Sequence, residues 1–138
     1  MSDMKCVIII DSELPIGIMA NTSAILGVTL GKLIPEQVGA DVKDASGQTH
    51  LGIVSIPVTM LGGDKALLKD LRSRLYGSEF DDLVVADFSD VAQGCNIYSE
   101  YAAKAAVTTE QDHKYFGIAI YGSKKKVNKL TGSMALLR

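Results

Sequence analysis

The chain has 138 residues, 47% of them hydrophobic and 22% charged, with a formal net charge of −2 and a pI near 5.6. These values fit a single folded domain spanning 1–138, able to bury a core without disulfides or metal, and they exclude a disordered chain. Residues 1–100 hold seven Lys/Arg against fourteen Asp/Glu, whereas residues 101–138 hold seven against two; any nucleic-acid contact would therefore be local to the basic tail.

Residues 5–10, "KCVIII", form an unbroken β-branched run, the pattern of a strand covered on both faces. Asp11 ends it. After "DSELP", the spacing of Ile16, Met19, Ala20, Ser23, Ile25, Leu26, Gly27 and Leu30 predicts a helix with Pro15 in its first turn. Residues 39–52 are polar with a Ser-Gly turn and read as a loop or small hairpin. "IVSIPVTML" (53–61) reads as a second strand, with Pro57 marking an edge or a bulge.

A helix is expected from about Asp64, with Leu67 or Leu68 aligned with Leu71 and Leu75 on its apolar face and Gly77 just past its end. "DLVVADFS" (82–89) gives a third strand, and a helix is expected from about Asn96 to Ala106. "YFGIAIYG" (115–122) is the fourth strand, followed by a short helix on "KKKVNKL" and a final extended piece. Strands alternating with helices imply an α/β fold with three layers.

No apolar stretch reaches the roughly 18 residues needed to span a bilayer, and residues 1–4 run into the first strand without a charged-then-apolar leader. No membrane partner and a cytoplasmic location are expected. Cys6 and Cys95 show neither CxxC nor Cys/His spacing, so no metal site and no disulfide framework are expected. Gly17 stands alone after the first strand, where a dinucleotide fingerprint needs three glycines, and in "GIAIYGSKK" the serine precedes the lysine, the wrong order for a phosphate loop. No cofactor is expected.

In open α/β sheets, ligands bind outside the carboxyl ends of the strands. That rule selects the loops 11–21, 86–96 and 121–129. Asp11 and Asp87 either converge as a carboxylate pair or cap the turns that follow them. Asn21 lies within a predicted helix, where it either faces solvent or points its amide at a ligand. Tyr98 and Tyr101 either line a cleft or fill the core. Neither His50 nor His113 falls in the three loops; each is either a surface histidine or a base swinging in from a loop, and no motif around Ser23 or Cys95 supports a Ser/His or Cys/His site. Lys124, Lys125 and Lys126 form either a solvated helix face or, with Lys129, an anion-binding rim.

"CVIIIDSELPIGIMANTSAILG" and "GIAIYGSKKKVNKLTGSMALL" together resemble the type 2 peptidyl-tRNA hydrolases, and still more an uncharacterised bacterial family related to them in structure. The tail carries the more specific likeness, through Gly122, Val127, Asn128, Lys129, Leu130, Thr131 and Gly132. The resemblance implies a three-layer α/β/α sandwich with a mixed sheet of about four strands, commonly a homodimer. It also shows departures from the hydrolases. Their catalytic lysine falls on Ile18, their Gln and His on Thr22 and Ile25, and their tail His on Ser133. The expected function is therefore that of a module binding a small or peptide-like ligand in a cleft. The candidate residues are Asp11, Gly17, Asn21, Asp87, Tyr98, Asn128 and Lys129. The alternatives are a hydrolase acting on peptidyl-tRNA or a related aminoacyl ester, with tRNA as partner, and a regulatory protein-interaction module.

Overall fold

The computed structural model describes residues 3–138; Met1 and Ser2, the first half of the four-residue start, lie outside the described residues. The element order is β1 (Met4–Asp11), α1 (Ile16–Leu33), the short strands β2 (Val42–Lys43) and β3 (Thr49–His50), β4 (Val58–Gly63), α2 (Lys65–Leu75), β5 (Val84–Ser89), α3 (Asp90–Gln93), α4 (Tyr98–Ala106), β6 (Tyr115–Ser123) and α5 (Lys124–Thr131).

The main sheet has the order β4-β1-β6-β5. β1 and β4 run parallel, whereas β6 lies antiparallel to both β1 and β5. The β1 side chains alternate between two cores: Val7 and Ile9 meet Leu68 and Leu71 of α2 and Val127 of α5, while Cys6, Ile8 and Ile10 meet Leu26 and Leu30 of α1. Strong burial on both faces explains the continuous apolar run, and the layers are α1, sheet, then α2 with α5. The three-layer reading holds, and the sheet is mixed with four strands.

Several local expectations shift. β4 begins at Val58; Pro57 lacks the N–H that a ladder needs, and of residues 53–57 only Val54 pairs, in an isolated bridge with Val38. Pro15 is the N-cap of α1 and stands just before its first turn. Asp64 caps α2 by accepting from the Leu67 N–H at 2.8 Å. The helix expected from Asn96 starts at Tyr98, and α3 is a short helix that the periodicity did not reveal. The hairpin β2–β3 closes through Gly47, whose φ of 81° suits a residue without Cβ. Residues 135–137 lie along β4: the Gly62 N–H donates to the Ala135 carbonyl and the Leu137 N–H to the Met60 carbonyl, each at 3.0 Å.

α1 is apolar almost all round. Contrary to the expectation that no stretch reaches membrane-spanning length, it spans 18 residues with a mean hydropathy of 1.3, long and apolar enough by composition alone to cross a membrane. The reason is that its Asn, Thr and Ser are interspersed among apolar residues and its single charge, Lys32, lies in the last turn. Only 17% of it is buried. Its buried stripe is Thr22, Leu26 and Leu30, packed on the sheet, while Ile16 and Val28 are 81% and 77% exposed.

Candidate functional site

The carboxyl ends of β1, β4 and β5 share one edge of the sheet. The chain leaves β1 for α1 on one face and leaves β4 for α2 on the other, so the two neighbouring strands part company at their carboxyl ends, the position where ligands bind in open α/β sheets. Asp11, opposite Gly63, sits at this point and is fully buried. Its Oδ1 accepts the Glu13 N–H at 3.0 Å, the local turn that an aspartate at a strand end favours. Its Oδ2 has no hydrogen-bond partner among the described residues, and Lys65 Nζ, at 3.9 Å, compensates its charge from the first residue of α2.

Lys65 begins a stripe of cations on α2, spaced so that Lys65, Lys69 and Arg72 lie along one side of the helix. Each meets a carboxylate. Lys69 Nζ donates to Glu110 Oε2 at 2.9 Å, and Arg72 Nε donates to Asp87 Oδ2 at 2.8 Å. The Tyr115 hydroxyl also donates to Glu110 Oε2, at 2.7 Å. The Tyr115 hydroxyl and then Lys69 hold the Glu110 carboxyl below its usual range. Burial, then Glu110 and Tyr76, push the Tyr115 phenol far above its ordinary value. Beside this group, Ser89 Oγ lies 3.0 Å from His113 Nδ1, and the His113 ring stacks on Tyr115.

On the other side of β5, a cleft of about 320 Å³ opens between α1 and the segment from Cys95 to Tyr101. Phe88 and Ala92 line it, Ile25 and Thr29 of α1 form one wall, and Asn96, Tyr98 and Tyr101 form the other. Tyr98 is 80% exposed and meets Tyr101 edge to face, with ring centroids 5.5 Å apart. Asp87 reaches the same cleft from the edge strand. Burial, followed by the Asp87 charge and Tyr98, raises the Tyr101 phenol. The cleft therefore combines an apolar floor, an aromatic wall, an amide and the rim of a carboxylate already paired with Arg72, a set suited to orienting a small polar molecule with an apolar body.

Of the expected residues, Asp87 and Tyr98 share this cleft, whereas Asp11 is buried at the carboxyl end of β1, opposite Gly63, and does not line it. Gly17 is exposed on the first turn of α1, and a Cβ there would meet nothing within 4 Å. Asn21 faces solvent. Asn128 and Lys129 lie at the opposite end of the sheet, because β6 runs against β1 and carries its following loop there. Asn128 Oδ1 accepts from Lys5 Nζ at 2.6 Å, and Lys129 pairs with Glu79. The cleft expected from Asp11, Gly17, Asn21 and Asn128 together is not assembled, and the loop 121–129 does not join the other two.

Lys126 is likewise engaged, donating to Asp82 Oδ1 at 2.8 Å and to the Glu79 carbonyl. The pairing of Ser89 with His113 was missed by sequence reasoning. Its signal was present: adjacent antiparallel strands place the end of one beside the start of the next, and these residues end one strand and precede the other. Among the described residues, no group of three or more His, Cys, Asp or Glu side chains converges as metal ligands would.

Comparisons with known proteins set this geometry in context. A solved structure of a protein of unknown function from Agrobacterium tumefaciens strain C58 superposes with a TM-score of 0.88 at 18% identity, over 99% of this chain and 98% of that one. At that identity, the likeness shows a shared fold alone. No match is found among curated proteins. The family model for proteins of unknown function, DUF2000, matches residues 4–138, and the chain belongs to that family.

Proposed function

We propose that the protein is a binding module on a peptidyl-tRNA hydrolase-like fold and takes a small or peptide-like ligand in the cleft between α1 and the 95–101 segment. The observation that carries this reading is Tyr98, an aromatic side chain held almost wholly in solvent against Tyr101 at the wall of a cleft that also holds Asp87. Exposed aromatics with a carboxylate nearby are the groups that recognise an amide or amine attached to an apolar body. The antiparallel β6 inside a mixed, doubly covered sheet agrees with the hydrolase-like scaffold, while half-buried Ile18 supplies hydrocarbon where the hydrolases carry an ammonium. A thermal-shift screen of N-acetylated amino acids and dipeptides tests the reading. A saturable rise in melting temperature that Tyr98→Ala removes supports it; no rise with any compound, or a rise indifferent to Tyr98→Ala, counts against it.

A second reading, hydrolysis of peptidyl-tRNA or a related aminoacyl ester, rests on the Ser89–His113 contact, a nucleophile beside a base. Ser89 is only 2% exposed, which ranks this reading second. Release of free tRNA from N-acetyl-aminoacyl-tRNA, abolished by His113→Ala, would establish it; turnover at background level would remove it. The expected homodimer and the regulatory interaction module both draw on the exposed apolar face of α1 around Ile16 and Val28. Sedimentation of the wild type beside Val28→Glu tests the pairing of two copies, which fails if both sediment as monomers.

A further inference from the structure

On the opposite flank of α1 lies a second cavity of about 350 Å³. Its floor is Cys6 and Ile8 of β1, and its far wall is the pair of strands of chain at 37–38 and 52–54. That wall is tied down. The Gly39 N–H donates to the Ile53 carbonyl at 2.8 Å, Ser55 Oγ to the Gln37 carbonyl at 2.9 Å, and Gln37 Nε2 to the Tyr121 hydroxyl at 2.7 Å. The lining holds no charged side chain; Gln37 and the Cys6 thiol are its polar groups.

The near wall is the stripe Gly27, Leu30, Gly31 and Ile34. Glycine is among the poorest residues for a helix interior, so a glycine pair there is expected only where a neighbour needs the space. Here no neighbour does: a Cβ on Gly27 or Gly31 would meet nothing within 4 Å. The glycines keep the helix backbone open toward the cavity, while apolar Ile53 and Val38 stand 79% and 43% exposed on its far wall. We propose that this cavity binds a small, uncharged, largely apolar molecule, or the apolar tail of one, lying against the α1 backbone at Gly27 and Gly31. The volume falls within the roughly 300–1,000 Å³ of clefts that take small ligands, and the tethered wall leaves the site formed before binding. The site is separate from the Tyr98 cleft and stands or falls independently of it.

The neutral fluorophore N-phenyl-1-naphthylamine, titrated into the full chain, is the direct probe. The expected result is saturable one-to-one binding, displaced by 1-octanol, and weakened at least about tenfold by Gly31→Leu and by Gly27→Leu, whose side chains fill the space. Val107→Ser, which removes an exposed apolar side chain elsewhere, should bind as wild type. Amide NMR shifts should fall on residues 27–38 and 52–58. Should a leucine variant not fold, Ile53→Gln on the far wall serves the same comparison. Absence of saturable binding, equal binding by the filled variants, or amide shifts confined to Ile25, Thr29 and the 95–101 segment would overturn the proposal; the last would place the probe in the Tyr98 cleft instead.

Discussion

Ser89 Oγ and His113 Nδ1, 24 residues apart in the chain, meet at 3.0 Å where β5 ends and β6 is about to begin. The pairing register brings them there: Phe88 faces Gly117 and Ser89 faces Tyr115, so Phe116 is the extra residue of a bulge. Ser89 also caps α3, accepting from the Val91 N–H at 3.3 Å. Ser89→Ala removes both bonds from a buried site and should cost about 1–2 kcal/mol in urea denaturation. A loss within experimental error would show that neither bond is held in solution.

Arg72→Ala should cost about 2 kcal/mol by the same measurement. The Arg72 side chain is 13% exposed and its partner Asp87 24%, so removing the guanidinium leaves a largely buried carboxylate uncompensated, and it also removes the stacking on Tyr76 at 4.0 Å. The double variant Arg72→Ala/Asp87→Ala should lose less than Arg72→Ala. A larger loss in the double variant would show that the orphaned charge is not the main cost.

Tyr115 sets an alkaline limit. Its phenol is raised in the folded chain, by burial first and by Glu110 second, so the folded state holds the proton more tightly than the unfolded state. That contribution is complete below the unfolded value near 10 and is lost as pH rises toward the folded value, with a slope of up to about 1.4 kcal/mol per pH unit. Tyr115→Phe should flatten this fall above about pH 10. Glu110 acts at the other end. Its lowered carboxyl contributes stability above its unfolded value near 4.3, and this is lost as pH falls through the folded value. Melting temperature against pH for wild type, Tyr115→Phe and Glu110→Gln separates the two.

The lysine run divides by what each side chain touches. Lys126 and Lys129 fasten α5 to the turn at 78–82, whereas Lys124 and Lys125 are exposed. Lys124→Glu/Lys125→Glu should leave the melting temperature unchanged and should remove any tRNA binding seen at low salt, because few phosphate contacts bind weakly and are screened steeply. Salt-sensitive binding that survives this variant would place the contact elsewhere.

Much of this architecture was readable in local pattern. The run at 5–10 is buried on both faces, Asp64 caps the helix it was expected to start, and Val127 and Leu130 anchor α5. The direction of β6 was not readable. "GIAIY" is buried on both faces, and such a run reads the same whether its neighbours run with it or against it. That one ambiguity misplaced Asn128 and Lys129. Asp87 and Tyr98 come together at one cleft because a strand end and an exposed helix start lie near one another in sequence. The Arg72–Asp87 and Ser89–His113 contacts link positions on different elements, and only the packed fold sets their distances.

The run of residues 135–137 along β4 has a consequence for how the protein behaves in crowded solution. A four-stranded sheet ends in unpaired backbone donors and acceptors that recruit strands from other molecules. Here the Gly62 N–H and the Met60 carbonyl are already taken by the chain's own tail, and Leu137 packs against Gly62. The tail is thus a plug against edge-to-edge aggregation. Loosening it, by removal of 135–138 or by a charge at Leu137, should first appear as turbidity and fibrillar pairing at high concentration, before any loss of helical signal.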